Sequence, residues 1–312
     1  MITRDLDAFS AFARDCAPDF GPATARGAFL VAPDGFTRAA ESAGDNRYMA
    51  QADAFDAVAA ALEHRALHVS LSALLPTVCF AGRAEAPDGL FPNNVFATAR
   101  ADARAADPFA PRLVIGHMRH PVRQREAGRD DIRGWLRDIA GYEEHDLSAQ
   151  THPCELTGAL VIDRARGLGF CGLSERCDAE GAALMHAAFG LRATLMFDLA
   201  PGEYHTNVVL AILAGRAVLA CPDGFADASV AAAIAGLYPH AALLSPAERL
   251  AFAGNAISLT PGSVSMSATA VRALRPDTRR MLDAAGFALQ PVELAAIEAA
   301  GGSLRCCVAE LF

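Results

Sequence analysis

Residues 301–307 read Gly301-Gly302-Ser303-Leu304-Arg305-Cys306-Cys307, and upstream stands Tyr204-His205-Thr206-Asn207. A thiol behind two glycines and an arginine sits in an electropositive setting where backbone can approach a ligand and the thiolate is favoured. An imidazole elsewhere in the chain supplies a base. This pair points to covalent catalysis by cysteine, with a histidine moving the proton.

Composition narrows what such a thiol attacks. All 27 basic side chains are arginine, since the chain contains no lysine, so Schiff-base chemistry, a pyridoxal-phosphate anchor and a P-loop lysine are excluded. A net charge of -9 and a pI near 5.5 speak against a nucleic-acid partner, which calls for a basic face. The eight cysteines form no Cys-x-x-Cys pair, so no metal site is expected. The longest apolar stretch, Val208 to Cys221, is interrupted by Arg216 and is too short to span a bilayer. A cytoplasmic protein with reduced thiols is expected, with no cofactor and no membrane partner.

The elements that must position these residues alternate between short apolar runs and helical stretches, which implies an α/β or α+β fold. Helices are predicted over 49–64, with Met49, Ala52, Phe55, Val58 and Leu62 on one apolar face, and over 122–140, 178–189, 268–285 and 291–300. Strand pairs are predicted at 94–98 with 112–117, 158–163 with 167–171, 207–212 with 216–220, and 254–259 with 263–266. Each pair opens on a small or amide residue and precedes a helix, so the same phrase recurs four times, with the segment ending in Cys306 as a candidate fifth. If these units close around an axis, Asn94, the Glu155/Gly158 turn, Asn207, Asn255 and Cys306 converge. For Asn255 an ordinary turn role weighs equally.

In order along residues 28–312, Phe91-Pro-Asn-Asn-Val-Phe96, Met118-Arg-His-Pro-Val-Arg-Gln-Arg-Glu126, Glu155-Leu-Thr-Gly158, Leu173-Ser-Glu-Arg176, Tyr204-His-Thr-Asn207, Phe252-Ala-Gly-Asn255 and Gly301-Gly-Ser-Leu-Arg-Cys306 resemble the motifs of the pentein superfamily. That superfamily holds guanidine-modifying enzymes: arginine deiminases, dimethylarginine hydrolases and amidinotransferases. The chain is most similar to the arginine-deiminase-related branch that includes citrulline utilisation hydrolases. The resemblance implies a five-bladed pseudo-symmetric α/β propeller with its site in the central channel. Residues 1–25 then form an N-terminal extension and 26–312 a single catalytic domain.

The resemblance further implies Cys306 as nucleophile, His205 as general acid/base and Glu155 as the carboxylate gripping the planar group beside the thiol. Arg119 and Arg176 resemble the arginines that hold a substrate α-carboxylate, a bidentate task suited to guanidinium. The rest of the arginine run 119–133 reads in part as a solvated helix face paired with Glu126, Asp130 and Asp131. On an extended strand Cys307 would point away from Cys306, as a packing residue.

Arginine deiminases carry aspartates at the positions of Asn94 and Asn207. Two amides here remove two charges and add NH2 donors, which suits a neutral ureido group better than a guanidinium. The expected function is therefore C–N bond hydrolysis of a ureido or guanidino amino acid, citrulline to ornithine. An arginine or methylarginine deiminase-type hydrolase, or an amidinotransferase, is the alternative. The expected partners are a small amino-acid substrate and a second copy of the chain as a homodimer. Papain-like chemistry is disfavoured because His205 precedes Cys306, by 101 residues, the reverse of that order. A non-catalytic binding protein would be signalled by loss of Cys306, His205 or Glu155, and all three are present.

Overall fold

Apolar runs of four to six residues, broken by short turns, fold into hairpins whose faces must be covered on both sides. The computed structural model of the chain describes residues 1–37, 40–49, 56–103, 105 and 108–312. Its strands are β1 (Ile2–Thr3), β2 (Gly27–Val31), β3 (Thr77–Phe80), β4 (Phe96–Ala99), β5 (Arg112–Ile115), β6 (Glu143–Asp146), β7 (Leu160–Asp163), β8 (Leu168–Leu173), β9 (Ala193–Asp198), β10 (Leu210–Leu213), β11 (Ala217–Ala220), β12 (His240–Leu243), β13 (Ile257–Thr260), β14 (Ser263–Ser267), β15 (Ala288–Val292) and β16 (Ala309–Leu311).

These strands form five small sheets built to one plan. In each, an inner strand pairs antiparallel with a middle strand, which pairs parallel with an outer one: β4-β5-β6, β7-β8-β9, β10-β11-β12, β13-β14-β15 and β16-β2-β3. The parallel step needs a crossover, supplied by helical segments such as Ala57–Ser72, Ala179–Phe189 and Ala228–Ala235. The last sheet joins β16 to β2, so the two ends of the chain close the ring. The expectation of a five-bladed α/β propeller holds.

Residues 1–25, an extension by sequence, pack on the β7-β8-β9 blade and on helix Ala228–Ala235 of the next. β1 adds a parallel edge to β9, and helix Leu6–Asp15, capped by the Asp5 side chain, buries Phe9 edge-to-face on Phe170 at 5.5 Å.

Several predicted elements are redrawn. The helix expected over 49–64 begins at Ala57, capped by Asp56, and runs to Ser72. Of its expected apolar face, Ala52 and Phe55 lie outside the described residues, while Val58 and Leu62 are 73% and 65% exposed. The buried face is Ala60, His64, Leu67 and Leu71, because the helix contacts Ala295–Glu298 on the side opposite to the one hydropathy suggested. The stretch 122–140 is a chain of short turns, Pro121–Gln124, Arg125–Gly128, Asp130–Gly134 and Trp135–Ile139. The stretch 268–285 splits at Arg275-Pro276, and 291–300 keeps only Ala295–Glu298 as helix. Proline explains the split, since it disfavours helix at the residue before it.

The inner strands also start later than expected. A single helical turn precedes four of them: Pro92–Asn94, Leu156–Ala159, Thr206–Val209 and Leu304–Cys307. The candidate site residues sit on or beside these turns rather than on the strands. Cys307 is therefore not turned away by strand alternation; it lies on the same 3-10 turn as Cys306, with its Sγ 3.6 Å from the Ser303 carbonyl.

The two faces of helix 57–72 predict opposite outcomes. Leu67→Ala should lower stability by about 2–5 kcal/mol, whereas Leu62→Ala should stay within about 0.5 kcal/mol. Urea denaturation of both variants checks this, and equal losses would contradict the orientation.

Candidate active site

The four helical turns and the loop ending at Asn255 bring their polar residues together, some lining one cleft and others bonded behind it. Glu155 is fully buried. Its Oε2 accepts from His205 Nε2 at 2.8 Å and from Arg176 Nη1 at 3.2 Å, and its Oε1 accepts the Arg119 backbone N–H at 3.1 Å. Burial alone would raise the Glu155 carboxyl, but the Arg176 guanidinium, the His205 hydrogen bond and the nearby Arg123 reverse this and hold it well below the usual range.

With Nε2 committed to Glu155, His205 keeps Nδ1 as a buried ring nitrogen without a partner. Burial lowers the His205 pKa from its ordinary value, against the pull of Glu155. Gly158 makes this packing feasible, since a Cβ there would lie 2.8 Å from His205 Nδ1 and 2.5 Å from Asn94 Oδ1.

Cys306 is buried, with Asn255 Nδ2 donating to its Sγ at 3.4 Å and its thiol donating to Asn207 Oδ1 at 4.0 Å. Burial pushes its thiol up, while Asn255, Arg305 and Arg123 pull it down. The orientation of Asn207 follows from its neighbour. Asn255 Oδ1 accepts the Arg305 N–H at 2.9 Å, so Nδ2 of Asn255 must face Asn207, reaching its carbonyl at 2.9 Å and its Oδ1 at 3.4 Å. The Asn207 Nδ2 is left buried and unpartnered, as is Asn94 Oδ1.

Of the residues expected from sequence, Asn94, Arg176, His205 and Cys306 line one cleft, with Glu155 and Asn207 bonded directly behind them. Arg119 is not brought in. Its side chain is 39% exposed and pairs with Glu175 and Asp45; only its backbone N–H reaches the site. Arg123 lines the cleft instead, buried, with Nε and Nη2 on Glu126 at 2.8 and 2.9 Å. By sequence the Arg123–Glu126 pair reads as solvated, because i,i+3 charges usually are; which of Arg119 and Arg123 faces inward could be signalled only by tertiary contact.

Asn46, Met49 and Asp88 line the wall beside the motif residues Tyr204 and Gly301, and Asp45 holds Arg176; Asp45, Asn46, Met49 and Asp88 carried no sequence signal for the site. Asp45 binds Arg176 through both oxygens, at 2.5 and 3.0 Å, and accepts from His120 Nε2 at 3.0 Å. Asn46 Nδ2 and the Tyr204 hydroxyl both donate to the Gly301 carbonyl, at 3.1 and 2.5 Å. Gly301 has φ +84°, and a Cβ there would strike Asn46 and Met49. The cleft so enclosed has about 30 Å³ of free volume, room for a water molecule.

All eight cysteines are free thiols. Among the described residues no group of three or more His, Cys, Asp or Glu side chains is gathered as for a metal ion, and no helix is long and apolar enough to cross a membrane.

Five ββαβ blades around a buried cysteine, histidine and carboxylate define a pentein, of the arginine-modifying branch. A family model described as N,N dimethylarginine dimethylhydrolase, eukaryotic, matches residues 32–312, and the chain belongs to that family. The N(G),N(G)-dimethylarginine dimethylaminohydrolase of Mycobacterium tuberculosis is 27% identical over 198 residues, 64% of this chain; the matched stretch is only 61% of that relative. In fold, the chain is similar to the substrate-bound N-terminal domain of ArgZ, an arginine dihydrolase from the ornithine-ammonia cycle in cyanobacteria, with a TM-score of 0.76 at 18% identity, covering 91% of this chain and 97% of that one. It is also similar to a dimethylarginine dimethylaminohydrolase in adduct with 4-chloro-2-hydroxymethylpyridine, with a TM-score of 0.66 at 16% identity, covering 92% and 100%.

The depressed His205 pKa predicts a pH signature. The unfolded imidazole takes up a proton near its ordinary value of 6.5, whereas the folded one does so only lower. The unfolded state then binds more protons in between, so stability falls as pH drops through about 6.5. Thermal melts from about pH 7.5 to 5 should show this slope, and His205→Gln should reduce it; buried His64, lowered to about 4, should sustain the remainder. An unchanged slope in the variant would mean that His205 titrates alike in the folded and unfolded states.

Proposed function

We propose that this chain is a cysteine-dependent hydrolase that cleaves a C–N bond of a ureido or guanidino amino acid, with citrulline to ornithine as the specific reaction. One observation carries the specific reading: Asn94 on the cleft wall keeps a buried free acceptor, Oδ1, and Asn207, packed behind it against Cys306, keeps a buried free donor, Nδ2. A ureido group has a carbonyl for the donor and N–H groups for the acceptor. A guanidinium has no acceptor and would leave the donor unpaired, at about 1–3 kcal/mol.

In this reading His205 takes the Cys306 proton at its lone-pair nitrogen, the sulfur adds to the ureido carbon, and the imidazolium protonates the leaving δ-nitrogen. Ornithine departs and leaves an S-carbamoyl cysteine. Water, deprotonated by His205, then adds to that carbon; carbamate leaves, the thiol is regenerated, and carbamate breaks down to ammonia and carbon dioxide. Glu155 holds the imidazole by Nε2 and supports its cationic form. Arg176 and Arg123 receive the α-carboxylate, Arg123 taking the place expected for Arg119. The substrate carboxylate competes with Asp45 for Arg176. A homodimer rests on the resemblance alone.

A second reading, hydrolysis of arginine or methylated arginine, is favoured by the family match and by the buried Asp88 on the cleft wall, which attracts a cation.

Product analysis by mass, after incubation with citrulline, arginine and dimethylarginine separately, tests the proposal. Citrulline should give ornithine with the highest kcat/KM; no turnover of any of the three would remove the enzymatic reading. Cys306→Ser should reduce turnover at least about 10³-fold, while Cys307→Ala should leave it within a few-fold. The opposite pattern would reassign the nucleophile.

The Asn94→Asp, Asn207→Asp double variant should shift the citrulline-to-arginine ratio of kcat/KM toward arginine. Each charge-assisted hydrogen bond to a cation is worth about 1.5–3 kcal/mol, so the shift should exceed tenfold. A ratio that stays put would show that these amides do not set the choice, and a parent that prefers arginine would favour the second reading.

A further inference from the structure

Asn255 opens the fourth blade, where sequence alone allowed an ordinary turn residue. It is completely buried, and its side chain joins three blades. Its Oδ1 accepts from Arg305 on the nucleophile's turn, and its Nδ2 donates to the Asn207 carbonyl and Oδ1 and to Cys306 Sγ. A turn amide would satisfy its own neighbours two or three residues away; these partners of Asn255 lie 48 to 51 residues away in sequence.

We propose that Asn255 is a catalytic residue, whose amide N–H receives the negative charge of the Cys306 sulfur and whose orientation is set by the Arg305 N–H. The Arg305 N–H can be satisfied only by an oxygen, so the Asn255 amide cannot flip without orphaning it. Its NH2 is therefore held toward the sulfur. If Asn207 flipped, two NH2 groups would face each other, so Asn255 also excludes that rotamer. One amide thus fixes both the thiolate donor and the rotamer of Asn207. A hydrogen bond from a fixed donor strengthens when its acceptor becomes an anion, so the contact favours the ionised sulfur over the thiol. It also remains in place when the sulfur becomes a thioester or thioether, where it weakens; the interaction is strongest in the nucleophilic state.

The sulfur's other charged or titratable surroundings are Arg123, Arg176, His205, Tyr204 and Asp88 from the cleft, with Arg305 and Cys307 on its own turn. None of these is replaced by substituting Asn255, so a variant that adds no charge isolates the amide in the change of sulfur acidity.

The test is the pH dependence of Cys306 alkylation by iodoacetamide, followed by peptide mass mapping to separate it from the other seven thiols. It needs no substrate, so it stands whether or not citrulline is the right one. Asn255→Ala removes the donor without adding a charge, and its alkylation profile should move up by about one pH unit or more, about tenfold in rate at pH 7. Asn255→Ser, which keeps a small donor, should lie between it and the parent, and it carries the test if Asn255→Ala does not fold; Asn255→Asp keeps the acceptor for Arg305 but adds a charge beside the sulfur, so it should move up at least as far as Asn255→Ala. In folded variants kcat should fall more than KM rises. Superimposable profiles in any folded variant lacking the donor, even with a lowered melting temperature, would overturn the proposal and make Asn255 structural; failure of all three to fold would do the same.

Discussion

The charge on Glu155 is the constraint around which the centre of this molecule is organised. A carboxylate with no exposed surface is strongly disfavoured unless its oxygens are fully paired. Its partners come from different places on the ring: His205 before β10, Arg176 after β8, and the Arg119 backbone after β5. Each blade edge is thereby held to its neighbour by an interaction that is expensive to break. The imidazole is fixed by one nitrogen, and Arg176 is drawn beside the cleft. Arg176, His205 and Arg123 in turn hold the Glu155 pKa down, and Glu155 opposes the depression of His205, so the buried charge and its partners set the protonation of the site as well as its shape.

A second layer of pairing surrounds it. Arg176 is shared between Glu155 and Asp45, and Arg123 is held by Glu126. These pairs explain how two guanidinium groups can be buried beside a cleft and still be oriented. The Asp45 pair also links the site to residues 45–49, which are fastened at Gly301 by Asn46 and at Glu203 by the Tyr48 hydroxyl. The wall over the cleft and the nucleophile's own glycine pair are thus one mechanical unit.

The fold was legible because its signal is periodic. Short apolar runs with turns between them recur five times, and each recurrence places a polar residue at the mouth of an inner strand. The identities of Cys306, His205, Glu155, Asn94, Asn207 and Arg176 could be read from motif residues, and the structure gathers all six. What could not be read was facing. Val58 and Leu62 are apolar yet exposed, and Arg123 is charged yet buried, because a short helical turn gains its environment from what packs on it, and hydropathy does not report that. Asn255 had the ambiguity of any amide near a turn until its partners, distant in sequence, were in view.

By itself the amino-acid sequence determined the chemistry available: a thiol, an imidazole and a carboxylate, no lysine, and amides at two positions beside the expected reaction centre. It also determined the repeat, since hydrophobic period and turn residues are local properties of the chain. Only the tertiary structure decided which arginine faces the cleft, which amide touches the sulfur, and that Asp45 holds Arg176. Those contacts join residues up to 131 positions apart, and their strength depends on exclusion of water and on donor-acceptor geometry. Both arise only when five blades close on a common axis.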